Sequence, residues 1–115
     1  MTENYDMTYL REVSDNDNDY MLTLIRYFVD NVPLVSENLR EYYENRNFKE
    51  LSFSAHKFSS QLAMFGLKKA SSKVSRIEQK ADSCEDDQEL YELISEIEQV
   101  CSQIVSRLKK DFRID

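Results

Sequence analysis

Glycine and proline are almost absent from this chain, which has one of each among 115 residues, where average usage would give roughly 12% for the two together. Without glycine the backbone cannot form a phosphate-cradling P-loop, a dinucleotide-binding turn or a nucleophile elbow, because each needs glycine where the chain bends tightly or approaches a ligand. Tight Asn-Gly and Asp-Gly hairpin turns are missing for the same reason. The composition therefore argues against an autonomous kinase or ATPase.

Positive charge is also in short supply, because 15 Lys and Arg face 22 Asp and Glu, giving a net charge of −7. Such a chain repels both a phosphate backbone and an anionic lipid surface, so we expect no nucleic-acid partner and no direct membrane contact. Long apolar runs are missing, and the polar N-terminus has no hydrophobic stretch typical of a signal peptide. We therefore expect a cytoplasmic protein.

Metal-binding patterns are lacking as well. The two cysteines, Cys84 and Cys101, are far apart and only one histidine is present, which is too few ligands for a zinc site, so we expect two reduced thiols. The run from Asp15 to Asp19 begins like a calcium loop, but Tyr20 stands where the turn glycine belongs and Arg26 where the bidentate glutamate belongs. We expect this chain to bind no metal.

Apolar residues, in contrast, recur at helical spacing along almost the whole chain. Steps of three and four residues link them in four stripes, which run from Met21 to Tyr42, from Phe48 to Phe65, from Leu67 to Ala81 and from Leu90 to Leu108. Four amphipathic segments with short connections are typical of a helical bundle. We predict one domain, residues 1–115, with an all-α fold: an antiparallel up-and-down four-helix bundle with a short additional N-terminal helix.

Residues that begin and end helices stand between the stripes. Asp15 to Asp19 offers N-cap side chains, Asn45 to Asn47 and Ser83 to Asp87 are typical turns, and Gly66 is a helix stop. Pro33 lies inside the first stripe and should kink or break that helix, but the stripe continues in phase, so we favour one bent helix.

Two shorter features complete the organisation of the chain. Leu10 and Val13 favour a leading helix over residues 8–13. A basic series on the third helix is by default a solvated face, with a negatively charged ligand or partner as the alternative: Lys68, Lys69, Lys73, Arg76 and Lys80.

The single histidine, His56, lies about 130° around its helix from the centre of the apolar stripe, at about 100° per residue. Its imidazole should therefore face solvent, where a neutral ring is a competent nucleophile. Small side chains share this face over three turns: Ser52, Ser59, Ser60 and Ala63. Such a surface would admit a second protein, although a lone exposed histidine is more often ordinary surface.

Phe53 lies about 60° from His56 by the same geometry and away from the core stripe. An exposed aromatic side chain beside an accessible histidine suggests that a partner docks here. The alternative is that Phe53 packs on a neighbouring helix at the rim of the core.

These residues resemble those of a known family, the histidine-containing phosphotransfer domains, which are four-helix intermediates of bacterial phosphorelays. The resemblance covers nearly the whole chain and rests on the order and spacing of short motifs. The motifs are Tyr9 to Asp15, Phe28 to Pro33, Ala55-His56-Lys57-Phe58 with Ser60, Phe65-Gly66-Leu67 and Ile77-Glu78.

The resemblance implies that Nε2 of His56 accepts the phosphoryl group and that Ser60 is the small residue that lets a receiver domain approach. Lys57 matches a position where lysine is frequent. Ser59 stands where the family usually has lysine beside the phosphoryl group, so Lys57, Lys49 or a basic residue of the next helix would have to replace that charge. We assign Lys57, Ser59 and Ser60 to the phosphate environment.

The resulting hypothesis is a phosphorelay intermediate that accepts a phosphoryl group on His56 from a receiver aspartate and passes it to another receiver. Ser52, Phe53 and Ala63 would contact the receiver. We expect no bound cofactor and no clustered carboxylates beside His56, so Mg²⁺ should come with the receiver. The receiver would belong to a hybrid sensor kinase or a response regulator, and the chain could be the cytoplasmic part of a membrane-bound kinase. The alternative is a non-catalytic helical adaptor or dimerisation bundle.

Overall fold

A computed structural model describes residues 3–115, and this part of the chain is all-helical, with no strand. The predicted domain begins at residue 1, so its first two residues lie outside the described part. The helices are α1 (Thr8–Val13), α2 (Asn18–Glu44), α3 (Phe48–Met64), α4 (Lys68–Asp82) and α5 (Gln88–Asp111). The predicted leading helix and the four long helices are all present.

Side chains from the predicted turns cap three of the helices. Asp17 accepts hydrogen bonds from the first backbone N–H groups of α2, Asn47 does so for α3, and Asp87 accepts from Leu90 N at 3.0 Å in α5. These caps satisfy donors that a helix start leaves without a partner. The beginnings of these helices are therefore encoded locally.

The start of α4 has no capping side chain of its own and is instead capped by a distant residue. Glu3 accepts a hydrogen bond from Ala70 N at 2.8 Å, and Arg107 of α5 donates to Glu3 O at 3.2 Å. A carboxylate at a helix N-terminus also interacts favourably with the helix dipole. The N-terminal segment thus fastens α4 to α5.

The only glycine is required where α3 ends. Gly66 has φ of +70°, and a Cβ atom at this position would clash with Asp6, whose N–H donates to Phe65 O at 2.8 Å. Both the left-handed backbone and the close approach of the N-terminal segment favour glycine. The predicted helix stop at Gly66 is confirmed.

Pro33 lies inside α2, which continues unbroken from Asn18 to Glu44. Of the two outcomes predicted for this proline, a break of the helix is therefore wrong. Apolar side chains on either side of the proline, Val32 before it and Leu39 after it, are buried in the same core. Their burial favours continuity of the helix over the loss of one backbone hydrogen bond.

Each long helix packs mainly on two others, in the cyclic order α2, α3, α4, α5 and back to α2. The α3 and α4 helices are antiparallel, because Ser52 near the start of α3 contacts Asp82 at the end of α4, and Ser59 further along α3 contacts Ser71 near the start of α4. The enclosed core is one continuous cluster of apolar side chains. Fully buried members include Ile25, Leu51, Leu62, Ile77, Leu90 and Leu108.

The basic series of α4 departs from the expectation of a solvated face at one residue, Lys80. Its side chain is only 3% exposed, and its ammonium contacts carboxylates of Glu85, Asp87 and Glu89 at 3.4, 2.7 and 2.9 Å. The expectation is wrong here because Lys80 lies at the edge of the apolar stripe, where the turn before α5 covers it. Within residues 3–115, no helix is long and apolar enough to cross a membrane.

Candidate functional site

His56 lies in the middle of α3, with its side chain directed away from the core. The side chain is 69% exposed, whereas Ala55 and Phe58, its neighbours on the other side of the helix, are buried. This is the orientation that the helical angle predicts. The imidazole is therefore accessible to a macromolecule as well as to water.

One carboxylate from the neighbouring helix meets the imidazole. Nδ1 of His56 lies 3.1 Å from Oε2 of Glu78 in α4. The antiparallel register fixes this pair, because Ser52 bonds to Asp82 one turn before His56, and Ser71 donates to Ser59 O at 2.8 Å one turn after it. The contact is thus set by the packing of two helices.

The contact with Glu78 indicates which nitrogen of a neutral His56 ring carries the proton. An ionised carboxylate only accepts hydrogen bonds, so the network assigns the proton of a neutral imidazole to Nδ1. Nε2 then carries the lone pair. The structure combines an oriented ring with an uncommitted nucleophilic nitrogen.

Ser59 does not lie on the open face with His56. It is 8% exposed, its hydroxyl donates to His56 O at 2.9 Å, and its own carbonyl accepts from Ser71. The expectation of a side chain exposed beside the histidine is therefore wrong. The physical reason is that Ser59 lies on the side of α3 that α4 covers.

The other small residues near His56 have different surroundings. Ser60 and Ala63 are exposed, and the Ser60 hydroxyl lies 3.4 Å from His56 O. Ser52 is half-buried, because its hydroxyl donates to Asp82 of α4. Of these small residues, the exposed ones lie in the two turns after His56.

Phe53 and Lys57 flank the histidine on the side that faces α2. Phe53 is 64% exposed, and the Lys57 ammonium lies 5.3 Å from the centre of its ring. A cation at this distance over an aromatic ring is attracted by the π electrons. Rim packing, the alternative for Phe53, does not describe a side chain this exposed.

Both residues also line a groove of about 370 Å³ between α2 and α3. On the α2 side the groove includes Tyr27 and Asn31, which also border an apolar pocket of about 200 Å³ next to Leu10 of α1. The two hollows therefore follow one another along the surface between α2 and α3.

Glu78 is the site residue to which sequence reasoning assigned no role. It belongs to the Ile77-Glu78 motif, and the expectation that no carboxylates cluster beside His56 said nothing of a single one. Its spacing on α4 relative to Asp82 is one helical turn, which would have placed both on one face. Among residues 3–115 no three His, Cys, Asp or Glu side chains come together as a metal-binding group.

The fold and the site together define a class of protein: a helical bundle that presents one oriented, accessible imidazole on a helix surface. The family model of the Hpt domain matches residues 23–107, a span that includes His56, Glu78 and most of the four long helices. This chain belongs to the Hpt domain family. Its role is therefore related to phosphotransfer in two-component signalling, in which Hpt domains interact with receiver domains.

Other similarities are limited. The chain is 35% identical over 46 residues to the small ribosomal subunit protein uS4c of Stigeoclonium helveticum. That match covers 40% of this chain and 2% of the ribosomal protein, so the chain spans a very small part of this relative. No solved structure matches the chain.

Proposed function

We propose that this protein is a phosphorelay intermediate, which accepts a phosphoryl group on Nε2 of His56 from a receiver aspartate and passes it to another receiver. The observation that carries the proposal is the contact of Nδ1 with Glu78 on a ring that is 69% exposed. This contact orients the ring and leaves Nε2 free, as transfer between two proteins requires.

The transfer step follows from this arrangement. The lone pair of Nε2 attacks the phosphorus of a receiver phosphoaspartate, the P–O bond to the aspartate breaks, and its electron pair remains on the released carboxylate. The phosphorylated ring keeps its Nδ1 proton, and the Glu78 carboxylate stabilises the resulting positive charge at 3.1 Å. Transfer to the second receiver is the reverse reaction. Mg²⁺ would come with the receiver and neutralise the charge of the moving phosphoryl group.

The receiver would dock on the surface between α2 and α3, within an antiparallel up-and-down four-helix arrangement. Tyr20, Tyr27 and Leu34 are exposed at seven-residue intervals along α2, which places them on one side of that helix. Phe53 continues this apolar surface to His56 across the groove. An exposed apolar surface beside a reactive group is typical of a docking site. Ser60 and Ala63 would leave room for the receiver next to the imidazole.

A labelling experiment tests the proposed transfer. The chain is incubated with phosphorylated receiver domains and Mg²⁺, and label on this chain is examined for stability in acid and base. We expect an acid-labile, base-stable label that is lost completely in His56→Gln. Because His56 is exposed, His56→Gln should change the free energy of unfolding by no more than about 0.5 kcal/mol. Binding of receivers without any label would contradict the proposal and favour the non-catalytic adaptor.

The docking surface has a separate test with a matched control. Tyr27→Ser removes an exposed tyrosine from the groove, whereas Tyr91→Ser removes an exposed tyrosine of α5 that does not line it. We expect Tyr27→Ser to weaken receiver binding by about 5- to 30-fold, as for an aromatic anchor, and Tyr91→Ser to leave it unchanged. Equal effects of the two substitutions in a binding titration would contradict this location.

A further inference from the structure

Phosphorylation of His56 would create a charge problem at this site. The phosphoryl group brings up to two negative charges to a chain that already has a net charge of −7, and the charged side chain that contacts the ring is the Glu78 carboxylate. Ser59 cannot supply a compensating charge, because it is a buried neutral hydroxyl. A cation from another position is needed to stabilise the phosphorylated form.

The cations of α4 nearest in sequence to Glu78 are already engaged. Lys73 pairs with Glu96, Arg76 with Glu89, and Lys80 with three carboxylates. The cations of α3 are Lys49 and Lys57. In the described part of the chain, neither of these lysines has a carboxylate within ion-pair distance.

The position of Phe53 distinguishes Lys57 from Lys49. At about 100° per residue, Phe53 lies between His56 and Lys57 around the helix, about 60° from the first and 40° from the second. Side chains of an α-helix lean toward its N-terminus, so the imidazole and the Lys57 chain both lean over the turn that holds Phe53. The Lys57 ammonium is found there, 5.3 Å from the centre of the Phe53 ring.

We propose, on the basis of the proposed function, that Lys57 is the cation that stabilises the phosphoryl group on His56, and that Phe53 is a positioning residue which holds its ammonium beside the imidazole. An aromatic ring attracts the ammonium without neutralising it. The charge therefore stays available to an incoming anion. A carboxylate in the place of Phe53 would instead neutralise the charge of the Lys57 ammonium.

A receiver-free experiment tests this role and avoids any effect of Phe53 on docking. Phosphoramidate phosphorylates imidazoles directly: the bond from Nε2 to phosphorus forms, the P–N bond of the reagent breaks, and ammonia leaves. Because the chain has one histidine, the labelled site is unambiguous. The pKa of the second phosphoryl ionisation is then measured by phosphorus NMR at low and at high salt.

We expect Lys57→Gln to raise this pKa, because the lost cation favoured the dianion, and Lys57→Arg to preserve it. The proton affinity of the phosphoryl group should change by about 1.5- to 5-fold, as for an exposed ion pair, and less at high salt. Lys49→Gln is the matched control. That lysine precedes His56 by two helical turns, about 10 Å along the axis, so its removal should have a smaller effect.

Phe53 is tested by a pair of substitutions. Phe53→Tyr keeps the ring and should preserve the pKa, whereas Phe53→Leu removes the π surface and should raise it, although by less than Lys57→Gln. If Phe53→Leu leaves the pKa unchanged while Lys57→Gln raises it, the positioning role is wrong. If Lys57→Gln has no effect on a phosphorylated chain, the whole inference is overturned. A wild-type chain that takes up no phosphoryl group at all would instead contradict the proposed function.

Discussion

His56 and Lys80 make contacts of the same kind, yet their surroundings differ completely. Each side chain bridges α4 to another segment through a nitrogen that meets a carboxylate. The His56 side chain is 69% exposed and meets one carboxylate, whereas Lys80 is 3% exposed and meets three. An ammonium has three N–H donors and no acceptor, so Lys80 has no remaining capacity to bind anything else.

The difference separates a group whose hydrogen-bond donors are all engaged from a ring with one nitrogen that no described residue contacts. The Lys80 ammonium joins α4 to the turn and first residues of α5, and Arg76 reinforces this connection through Glu89 at 3.2 Å. Hydrogen bonds to Asp87 and Glu89 raise the pKa of Lys80, so it stays charged. The imidazole of His56 uses only Nδ1 in its contact, which leaves Nε2 for the proposed phosphoryl transfer.

A further ion pair lies near Lys80, at the end of the molecule that holds the turn before α5. Arg46, which follows α2, pairs with Asp86 at 2.7 Å in the turn before α5. Together with the Lys80 contacts, this pair links two turns that are distant in sequence. The negative charge of the chain is thus concentrated partly in a structural network and is not spread evenly over a solvated surface.

The largest effect on stability that we predict comes from removing Lys80. Lys80→Met would leave three half-exposed carboxylates close together without their common cation, and the repulsion between these like charges destabilises the folded state. We expect a melting temperature lower by several degrees, measured by circular dichroism. Phosphoryl uptake by the protein that remains folded should be unchanged, because Lys80 does not contact His56.

The matched control is Lys73→Met, on the same helix. Lys73 is partly exposed and has one partner, Glu96, at 3.0 Å. An exposed pair of this kind contributes about 0.2 to 1 kcal/mol, so the melting temperature should change little. If the two substitutions lowered it equally, Lys80 would be an ordinary surface lysine, and the comparison with His56 would lose its basis.

The next prediction concerns the melting temperature at low pH. The Lys80 ammonium lowers the pKa of Asp87 and is also the first cause of the lowered pKa of Glu89, to which Arg76 adds. Groups whose pKa is lowered by folding stabilise the native state above their unfolded pKa values of about 4, and this stabilisation is lost as the pH falls through their folded values. The melting temperature of the wild type should therefore fall more steeply below about pH 5 than that of Lys80→Met. Parallel curves for the two proteins would contradict this.

A smaller effect is predicted for the partner of His56. Glu78→Ala removes the acceptor that holds the Nδ1 proton, and loss of one such hydrogen bond at an exposed site should slow phosphoryl uptake by about fivefold. Glu78→Gln keeps an acceptor and should be less impaired. Asp82→Ala is the control, because Asp82 lies one turn further along α4 and bonds to Ser52 instead. An equal rate loss in Asp82→Ala, measured in a time course of labelling, would show that the effect comes from helix packing.

Much of the fold could be predicted because its signals are local. The N-cap residues Asp17, Asn47 and Asp87 lie within three residues of the N–H groups that they bond. Gly66 ends α3 through its own backbone conformation. The exposure of His56 was also predictable, because it lies far around the helix from the apolar stripe.

The expectations that the structure contradicts concern residues at the edges of the apolar stripes. Ser59 and Lys80 both lie beside a stripe, and a helical angle does not tell which edge a neighbouring helix or turn covers. The contact between His56 and Glu78 depends in the same way on the register of α3 against α4. Such information comes from the packing of two segments and is not contained in the pattern of either one.

The smallest effect on phosphoryl uptake that we predict concerns the two serines after His56. Ser59→Ala removes a buried hydroxyl that donates to His56 O at 2.9 Å, and should cost about 0.5 to 1.5 kcal/mol of stability. Ser60→Ala removes an exposed hydroxyl at 3.4 Å from the same oxygen and should cost less. Because neither hydroxyl is positioned by the structure toward the imidazole nitrogens, both variants should take up label at the wild-type rate. Slower uptake by Ser59→Ala at unchanged stability would contradict this expectation. It would support the assignment of Ser59 to the phosphate environment that the sequence suggested.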